Sequence, residues 1–229
     1  VLSANKNSNG LEVIYKQNDE TSKFVTEKII TAVGITGNVE DLGLEKTQVK
    51  IEKGHIITNG FMETGENGIY AIGDVAGAPW LAHKASHEAV ICVENLNTTY
   101  ATDIVKKISI PSCTYCRPQI ASIGLTEAEA KEINESVRIG TFPFLANGKA
   151  IAVGEPTGMI KTIFCDKTGA LLGAHMIGPE VTELIQGFAI AIKLETTEME
   201  LMETIFAHPT LSEAMHEAVL DSFGRALHF

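Results

Sequence analysis

The most informative stretch of the chain is Ala207-His208-Pro209-Thr210-Leu211-Ser212-Glu213, near its C-terminus. Histidine titrates near neutral pH, so it is the usual side chain for moving a proton there. It does this best when a carboxylate holds its second ring nitrogen. His208 lies in a predicted turn, and Glu213 falls in the first turn of the apolar-periodic helix that follows. The spacing therefore makes His208 and Glu213 the candidate acid–base pair.

The same stretch also has a purely structural interpretation. Thr210 and Glu213 have the spacing of a capping box, with Thr210 as the N-cap and Glu213 reaching back to the backbone. His208 would then be an ordinary surface histidine. Because a histidine near a glutamate is common in proteins, the pattern alone favours this second interpretation and leaves the first open.

A second informative stretch is Gly68-Ile69-Tyr70-Ala71-Ile72-Gly73-Asp74, followed by a helix predicted from residue 81 to about residue 96. A short apolar strand is expected to end in Gly73 and Asp74. Ligands of α/β sheets gather at the carboxyl ends of strands, and the free N–H groups of a helix N-terminus favour negatively charged groups. Gly-Asp pairs are also common in ordinary turns. The residues alone therefore leave two interpretations of Asp74 open, a ligand site and an ordinary turn.

Three motifs of the chain together resemble the flavin-dependent pyridine-nucleotide disulfide oxidoreductases. They are the Ile-Tyr-Ala-Ile-Gly-Asp stretch that ends at Asp74, the Ala82-His83-Lys84-Ala85 stretch and the His-Pro-Thr stretch that begins at His208. They occur in the family's order, and the resemblance extends over residues 27–229. Glu217-Ala218 and Gly224-Arg225-Ala226 make the C-terminal part most similar to the members that oxidise dihydrolipoamide with NAD.

The resemblance implies which residues hold the FAD cofactor. Asp74 would hydrogen-bond the ribityl chain. Backbone would lie against the flavin at four consecutive residues, Trp80, Leu81, Ala82 and His83. His83 would therefore contribute main chain and would be neither a catalyst nor a metal ligand.

The resemblance also implies roles at two further places. His208 and Glu213 would take a thiol proton at the active site of the other subunit of a homodimer. Gly34 would bring bare backbone close to the NAD cofactor, although a glycine at a strand end has an equally good explanation in turn geometry. Lipoyl domains of 2-oxo acid dehydrogenase complexes would be the partners, in the bacterial cytoplasm or the mitochondrial matrix.

The expected fold class is a partial FAD/NAD-binding domain followed by an α+β interface, or dimerisation, domain with an antiparallel sheet and helices. We expect residues 1–38 to be the end of an NAD-binding domain, 39–108 the C-terminal part of an FAD-binding domain, and 109–229 the dimerisation domain. Within these, several elements are predicted: strands at residues 11–15, 26–34, 117–125 and 137–144, hairpins across Gly54 and residues 166–169, a linker at 97–111, a capping box at 126–129, a turn at 147–148, and helices at 128–134, 180–194 and 197–207. The helix at 181–194 is apolar over much of its girth, so we expect it to serve both core and dimer face.

Composition excludes some classes of function. The chain has 18 lysines and arginines against 29 aspartates and glutamates, a net charge of −11, which argues against nucleic acid or an anionic membrane as partner. It has no apolar run of membrane-spanning length and no signal peptide at its start. No Cys-x-x-x-x-Cys and no Gly-x-Gly-x-x-Gly occurs, and residue 1 is valine. We therefore expect the C-terminal part of a longer flavoenzyme, which alone would be dimeric, colourless and inactive.

The cysteines and histidines give little sign of a metal or redox site. Cys113 and Cys116 have the Cys-x-x-Cys spacing, but no second pair or suitably spaced histidines completes a zinc site. His83 and His87 lie four residues apart on a predicted helix, again without a third ligand. We interpret the cysteines as reduced and incidental and expect no metal.

Two alternatives remain open at this stage. The first is a sister enzyme of glutathione or mercuric reductase type; the chain ends Leu227-His228-Phe229, without the C-terminal cysteine pair of the mercuric reductases. The second is a non-catalytic dimerisation module that shares the fold.

Overall fold

The computed structural model describes residues 1–96, 110–133 and 136–229. Its first element is a three-stranded antiparallel sheet in the order β1-β2-β3, made of β1 (Ser3–Asn7), β2 (Gly10–Gln17) and β3 (Glu20–Thr26). Asn18 and Asp19, both at positive φ, form the tight turn between β2 and β3. The alternation at residues 11–15 is thus confirmed as a strand.

The strand predicted at residues 26–34 is wrong. The backbone leaves the sheet after Thr26, and the side chains of Ile30 and Val33 are each 92% exposed. A strand needs a neighbouring strand to accept its backbone hydrogen bonds, and residues 27–34 pair with none of the described strands. Apolar content alone therefore predicted an element that has no partner here.

The next region contains a short hairpin and the first helix. β4 (Ile51–Glu52) and β5 (His55–Ile56) pair across Gly54, as predicted. The strand predicted before Gly73 is reduced to one isolated bridge between Glu63 and Tyr70, because a single short segment is all that opposes it. A 3₁₀ helix follows (Gly73–Ala76), and then α1 (Ala82–Leu96), as predicted. The predicted linker lies, up to residue 109, outside the described residues.

The C-terminal half is an α+β unit. Its five-stranded antiparallel sheet has the order β6-β7-β10-β9-β8, with β6 (Ser112–Thr114), β7 (Gln119–Gly124), β8 (Val137–Pro143), β9 (Met159–Cys165) and β10 (Leu171–Gly178). Its helices are α2 (Glu127–Ile133), α3 (Gly148–Ala152), α4 (Val181–Lys193), α5 (Glu198–Glu203) and α6 (Glu213–Asp221). Helix α4 packs on β7 and β10, and α6 packs on β8 and β9.

The core of this half lies between the sheet and helices α4 and α6. Phe142, Phe144, Phe164 and Phe188 are at most 1% exposed. Fully burying one such side chain is worth about 1.5–3 kcal/mol of transfer free energy. Helix α4 turns its apolar face inward as predicted, while Ile190 remains 53% exposed on its other face.

Two boundaries in this half correct the predictions. The turn predicted at residues 147–148 is the start of α3, because the Asn147 side chain caps that helix by accepting the Ala150 N–H at 2.9 Å. The helix predicted at residues 197–207 ends at Glu203, since Thr204 is extended and its hydroxyl donates to the Glu200 carbonyl. The capping box at Thr126 and Glu129 is confirmed.

The described ranges lack three kinds of feature: a membrane-spanning helix, a metal-ligand cluster and a disulfide bond. No helix in them has the length and apolarity needed to cross a bilayer. No three histidine, cysteine or acidic side chains in them converge as ligands for a metal. All four cysteines are free, and the Cys116 thiol donates to the Pro118 carbonyl at 3.1 Å instead of meeting Cys113.

Candidate functional site

The structure brings the predicted acid–base pair into contact. His208 Nδ1 lies 2.8 Å from Glu213 Oε1, and the His208 side chain is 78% exposed. When Nδ1 carries the hydrogen and donates to the carboxylate, Nε2 is left as the proton acceptor. The arrangement can therefore take a proton at Nε2 and stabilise the resulting imidazolium with the carboxylate.

The second oxygen of Glu213 explains why two interpretations fitted the sequence. Oε2 accepts the backbone N–H of Thr210 at 2.8 Å, which is the one contact of the predicted capping box that forms. The Thr210 hydroxyl donates to the Ala207 carbonyl instead, at 2.6 Å, so the predicted N-cap role of Thr210 is wrong and Ser212 occupies that position. One carboxylate thus fixes the loop and the imidazole together.

The loop at residues 207–212, which carries His208, is anchored to α3, and the helix that follows it is packed on β8. The buried Asn147 donates from Nδ2 to the Thr210 carbonyl at 3.1 Å, tying α3 to the loop. Helix α6 approaches β8 so closely that a Cβ on Gly140 would lie 2.0 Å from the Ala218 carbonyl oxygen. Only glycine permits that contact. Gly140 therefore sets the distance between β8 and the helix that carries Glu213.

The electrostatics of Glu213 keep it ionised. Partial burial opposes the charge, but hydrogen bonds from the Thr210 N–H and the His208 ring, with the charges of His208 and His228, outweigh it and lower the pKa of the carboxyl. Glu213 is therefore an anion at neutral pH, as a partner for an imidazolium must be.

A second histidine–glutamate pair on α6 was missed by sequence reasoning. Glu217 lies one turn after Glu213; its Oε1 is 2.7 Å from His228 Nδ1, and its Oε2 accepts the Leu227 N–H at 2.9 Å. The Glu217 side chain is only 7% exposed. The sequence carries a signal for this pair, since Glu217 lies among the apolar positions of the helix and His228 follows it after the helix has ended.

The predicted cofactor residues surround the start of α1. Asp74 lies in the 3₁₀ helix with its side chain exposed, and the following turn at Gly77 has open space where a Cβ would be. Trp80 Nε1 donates to His55 Nε2 at 3.2 Å, and the two rings stack with centroids 5.8 Å apart. This contact, which the sequence did not predict, holds Trp80 against β5.

The imidazole ring of His83 connects the first turn of α1 to the segment before β6. His83 Nε2 is 2.8 Å from the Pro111 carbonyl, so its ring joins α1 to the residues before β6. Leu81 accepts the Ala85 N–H through its carbonyl, which starts the helix just before Ala82. The N–H groups of such a first turn have no acceptor within the helix and carry its positive dipole end.

Two buried charged residues of α1, also unpredicted, grip the loop that carries Asp74. Lys84 Nζ and Glu88 Oε1 form an ion pair at 2.8 Å. Glu88 Oε2 accepts the Gly73 N–H at 2.7 Å, and Lys84 donates to the Gly77 carbonyl at 3.1 Å. The loop is thus held at both ends.

This geometry fits a flavin cofactor. An exposed carboxylate suits a polyol hydroxyl, and a helix N-terminus suits a ring edge that gains negative charge on reduction. Asp74 and the backbone at Trp80–His83 supply these two features. Gly34, by contrast, lies at φ 117° in the exposed segment after β3, and no described hydrogen bond joins it to the other predicted site residues. Nor does any described hydrogen bond or ion pair join Asp74 to His208.

Two family models match the chain. The one described as "Pyridine nucleotide-disulphide oxidoreductase, dimerisation domain" matches residues 110–219, and the one described as "Pyridine nucleotide-disulphide oxidoreductase" matches residues 1–89. The first agrees with the expectation of a dimerisation domain in the C-terminal half.

Curated relatives agree with these matches. The dihydrolipoyl dehydrogenase of Rhizobium etli is 57% identical over 208 residues, covering 91% of this chain and 43% of the relative. That of Zymomonas mobilis is 56% identical over 200 residues, covering 87% of this chain and 43% of the relative. The chain therefore spans less than half the length of these two relatives.

Solved structures share the fold. LpdA of Mycobacterium tuberculosis has a TM-score of 0.85 at 24% identity, covering 95% of this chain and 47% of that one. The HOCl-induced flavoprotein disulfide reductase RclA of Escherichia coli has a TM-score of 0.85 at 20% identity, covering 94% and 49%. At these identities the likeness concerns the fold alone, which confirms the predicted fold class. Both matched segments, the relatives and the fold lead to one conclusion: the chain belongs to the pyridine nucleotide-disulphide oxidoreductase family.

Proposed function

We propose that the full-length protein carrying this chain is a dihydrolipoyl dehydrogenase and that His208 and Glu213 are its acid–base pair. The observation that carries the proposal is the 2.8 Å contact between His208 Nδ1 and Glu213 Oε1, which leaves Nε2 as the proton acceptor. The curated relatives of that name support the substrate class.

The reaction removes two electrons and two protons from dihydrolipoamide and closes its two sulfurs into a disulfide. NAD⁺ takes up both electrons with one proton, and the other proton is released. His208 accepts a thiol proton at Nε2, because the thiolate and not the thiol is the nucleophile in disulfide exchange. Glu213 stabilises the imidazolium that results. The chemistry that FAD supplies when bound is transfer of the electron pair towards NAD.

We assign the cofactor contacts as the motifs imply. Asp74 bonds the FAD ribityl chain, and the backbone at four consecutive residues lies against the flavin, Trp80, Leu81, Ala82 and His83. Gly34 lies near NAD. The exposed Asp74 carboxylate and the free first turn of α1 support the first two assignments.

The proposal divides the chain as expected, with an NAD-binding part at 1–38, an FAD-binding part at 39–108 and a dimerisation domain at 109–229. The protein forms a homodimer through the last of these, and His208 serves the other subunit's site. Two exposed apolar residues at the C-terminal end of α4, Ile190 and the C-cap residue Leu194, are 53% and 72% exposed and support a second copy as their cover. Lipoyl domains are the macromolecular substrates, in bacterial cytoplasm or a mitochondrial matrix.

The decisive experiment compares two reactions of the full-length protein. We expect NADH formation from dihydrolipoamide and no NADPH oxidation with oxidised glutathione. The reverse pattern would assign the protein to the glutathione reductase type. Silence in both assays, with flavin bound, would leave a cofactor-binding fold without this activity and would favour the non-catalytic module.

A further inference from the structure

The buried ion pair of α1 is unusual in its surroundings. The side chains of Lys84 and Glu88 are each 8% exposed, whereas those of the Lys131–Glu127 pair, at the same spacing on α2, are 59% and 33% exposed. Removing two charges from water carries a large desolvation penalty, which is offset only when their remaining hydrogen-bonding groups are also satisfied. An exposed pair of this kind needs no further explanation, but a buried one does.

The remaining bonds of the pair all go to one loop. Glu88 accepts the N–H of Gly73, and Lys84 donates to the carbonyl of Gly77, so the ion pair bonds the first residue of the 3₁₀ helix and the residue that follows its last turn. Asp74 lies between these two points. Its carboxylate is exposed, while the backbone that carries it is fixed from inside.

Within this loop one backbone hydrogen bond, from the Gly77 N–H to the Asp74 carbonyl at 3.1 Å, closes the 3₁₀ turn. Gly73 and Gly77 both have positive φ, 72° and 100°, and neither has a side chain that could pack. Glycine leaves the backbone free to adopt many conformations in the absence of outside contacts. The hydrogen bonds that hold these two glycines from the neighbouring helix come from Glu88 and Lys84.

We infer that Lys84 and Glu88 are positioning residues for FAD, holding the loop so that the Asp74 carboxylate stands beside the first turn of α1. The inference rests on the proposed function, because it takes Asp74 as a flavin contact. The two residues touch neither cofactor nor substrate; they act through the backbone at Gly73 and Gly77. Removing these two side chains should displace the Asp74 carboxylate relative to the first turn of α1, the other proposed flavin contact.

The first test measures hydrogen exchange in the full-length protein. Hydrogen exchange at the Gly73 amide should be slow in the wild type and should accelerate in Glu88→Ala, which removes its acceptor. Glu88→Gln combined with Lys84→Met keeps an amide oxygen for Gly73 and leaves no lone buried charge, so protection should persist. Equal protection in Glu88→Ala and wild type would overturn the inference.

The second test uses the full-length protein. Lys84→Met/Glu88→Ala removes both contacts to the loop without leaving an unpaired charge and should raise the FAD dissociation constant about tenfold or more. Lys84→Met/Glu88→Gln keeps an acceptor for the Gly73 N–H and should raise it less. Both should also shift the reduction potential of the FAD that remains bound. A residue that merely supports folding would lower the yield of holoprotein without moving that potential. The control is Lys131→Met, which removes the lysine of an exposed ion pair at the same spacing and leaves Glu127 paired with Lys161; it should change neither quantity.

The outcomes separate this inference from the proposed function. If the wild type binds no FAD, both fail. If Asp74→Ala binds FAD as tightly as the wild type, the Asp74 assignment and the inference on Lys84 and Glu88 fail, while NADH formation from dihydrolipoamide decides the proposed function separately. If wild type and Asp74→Ala behave as expected while the α1 variants match the α2 control, only the inference on Lys84 and Glu88 is overturned.

Discussion

Two glutamates of helix α6 each contact a histidine outside the helix, and the two pairs are alike in distance but differ in their surroundings. His208 lies 2.8 Å from Glu213, and His228 lies 2.7 Å from Glu217, one helical turn further on. The Glu213 side chain is 28% exposed and the Glu217 side chain 7%. Contact distance therefore does not separate a site for chemistry from a structural anchor.

The second oxygen of each carboxylate makes the difference. In Glu213 it accepts the N–H of Thr210 and fixes a loop that presents His208 to solvent. In Glu217 it accepts the N–H of Leu227 and fixes the end of the chain against the helix. The first pair offers an accessible base, whereas the second closes a buried contact.

The largest expected effect separates the two histidines in catalysis. In the full-length protein, His208→Ala should lower kcat/KM for dihydrolipoamide about 10²–10⁴-fold, because it removes the proposed general base. His228→Ala should stay within about threefold, since that ring lies on the structural pair. Steady-state NADH formation measures both, with circular dichroism as a check on folding. Near-normal turnover of His208→Ala would return His208 to the role of a surface histidine in a capping loop.

The next largest effect is on stability, where we expect the pair of Glu217 and His228 to matter more than the pair of Glu213 and His208. Glu217→Ala leaves the Leu227 N–H and the His228 ring without their acceptor, which should cost about 1–3 kcal/mol. His208→Ala, an exposed position, should cost less than about 0.5 kcal/mol. Hydrogen exchange of the α6 amides reports the free energy of local opening in each variant. Equal opening in the two variants would show that burial does not distinguish the pairs.

The smallest effect is in the pH dependence of that opening. Burial opposes the charge of Glu217, but hydrogen bonds from the His228 ring and from the Leu227 and His228 N–H groups outweigh it and lower the pKa of the carboxyl. A carboxyl with a lowered pKa stabilises the fold above its unfolded pKa of about 4.3, and this contribution is lost as the pH falls through the folded value. Wild-type α6 should therefore open more readily below about pH 4. Glu217→Gln should flatten this dependence without abolishing it, since the pKa of Glu213 is lowered too; an unchanged slope would contradict the assignment.

Elements with a strong local pattern could be predicted from the sequence. The hairpin of β9 and β10, the apolar helix α4 and the capping box at Thr126 follow from periodicity and turn residues close together in the chain. The contact between His208 and Glu213 belongs to the same group, because it spans five residues at the start of one helix.

Elements that depend on distant partners could not. The apolar segments at residues 26–34 and 68–72 have strand-like sequences, yet a strand forms only where another strand pairs with it. The sequence predicts a turn at Asn147 and the structure has a helix N-cap there, because an asparagine side chain is equally suited to both. The burial of Lys84 and Glu88 could not be predicted from the sequence, because charged residues on a helix are usually exposed.

The sequence by itself determined the family, the α+β character of the C-terminal half and the candidate site residues, because motif order and short-range periodicity are properties of the chain alone. Only the tertiary structure decided which charged residues are buried and which loop each one holds. Lys84 reaches Gly77 and Glu217 reaches Leu227 through packing that no local pattern encodes. The physical reason is that desolvation depends on everything that surrounds a group, and that environment exists only in the folded molecule.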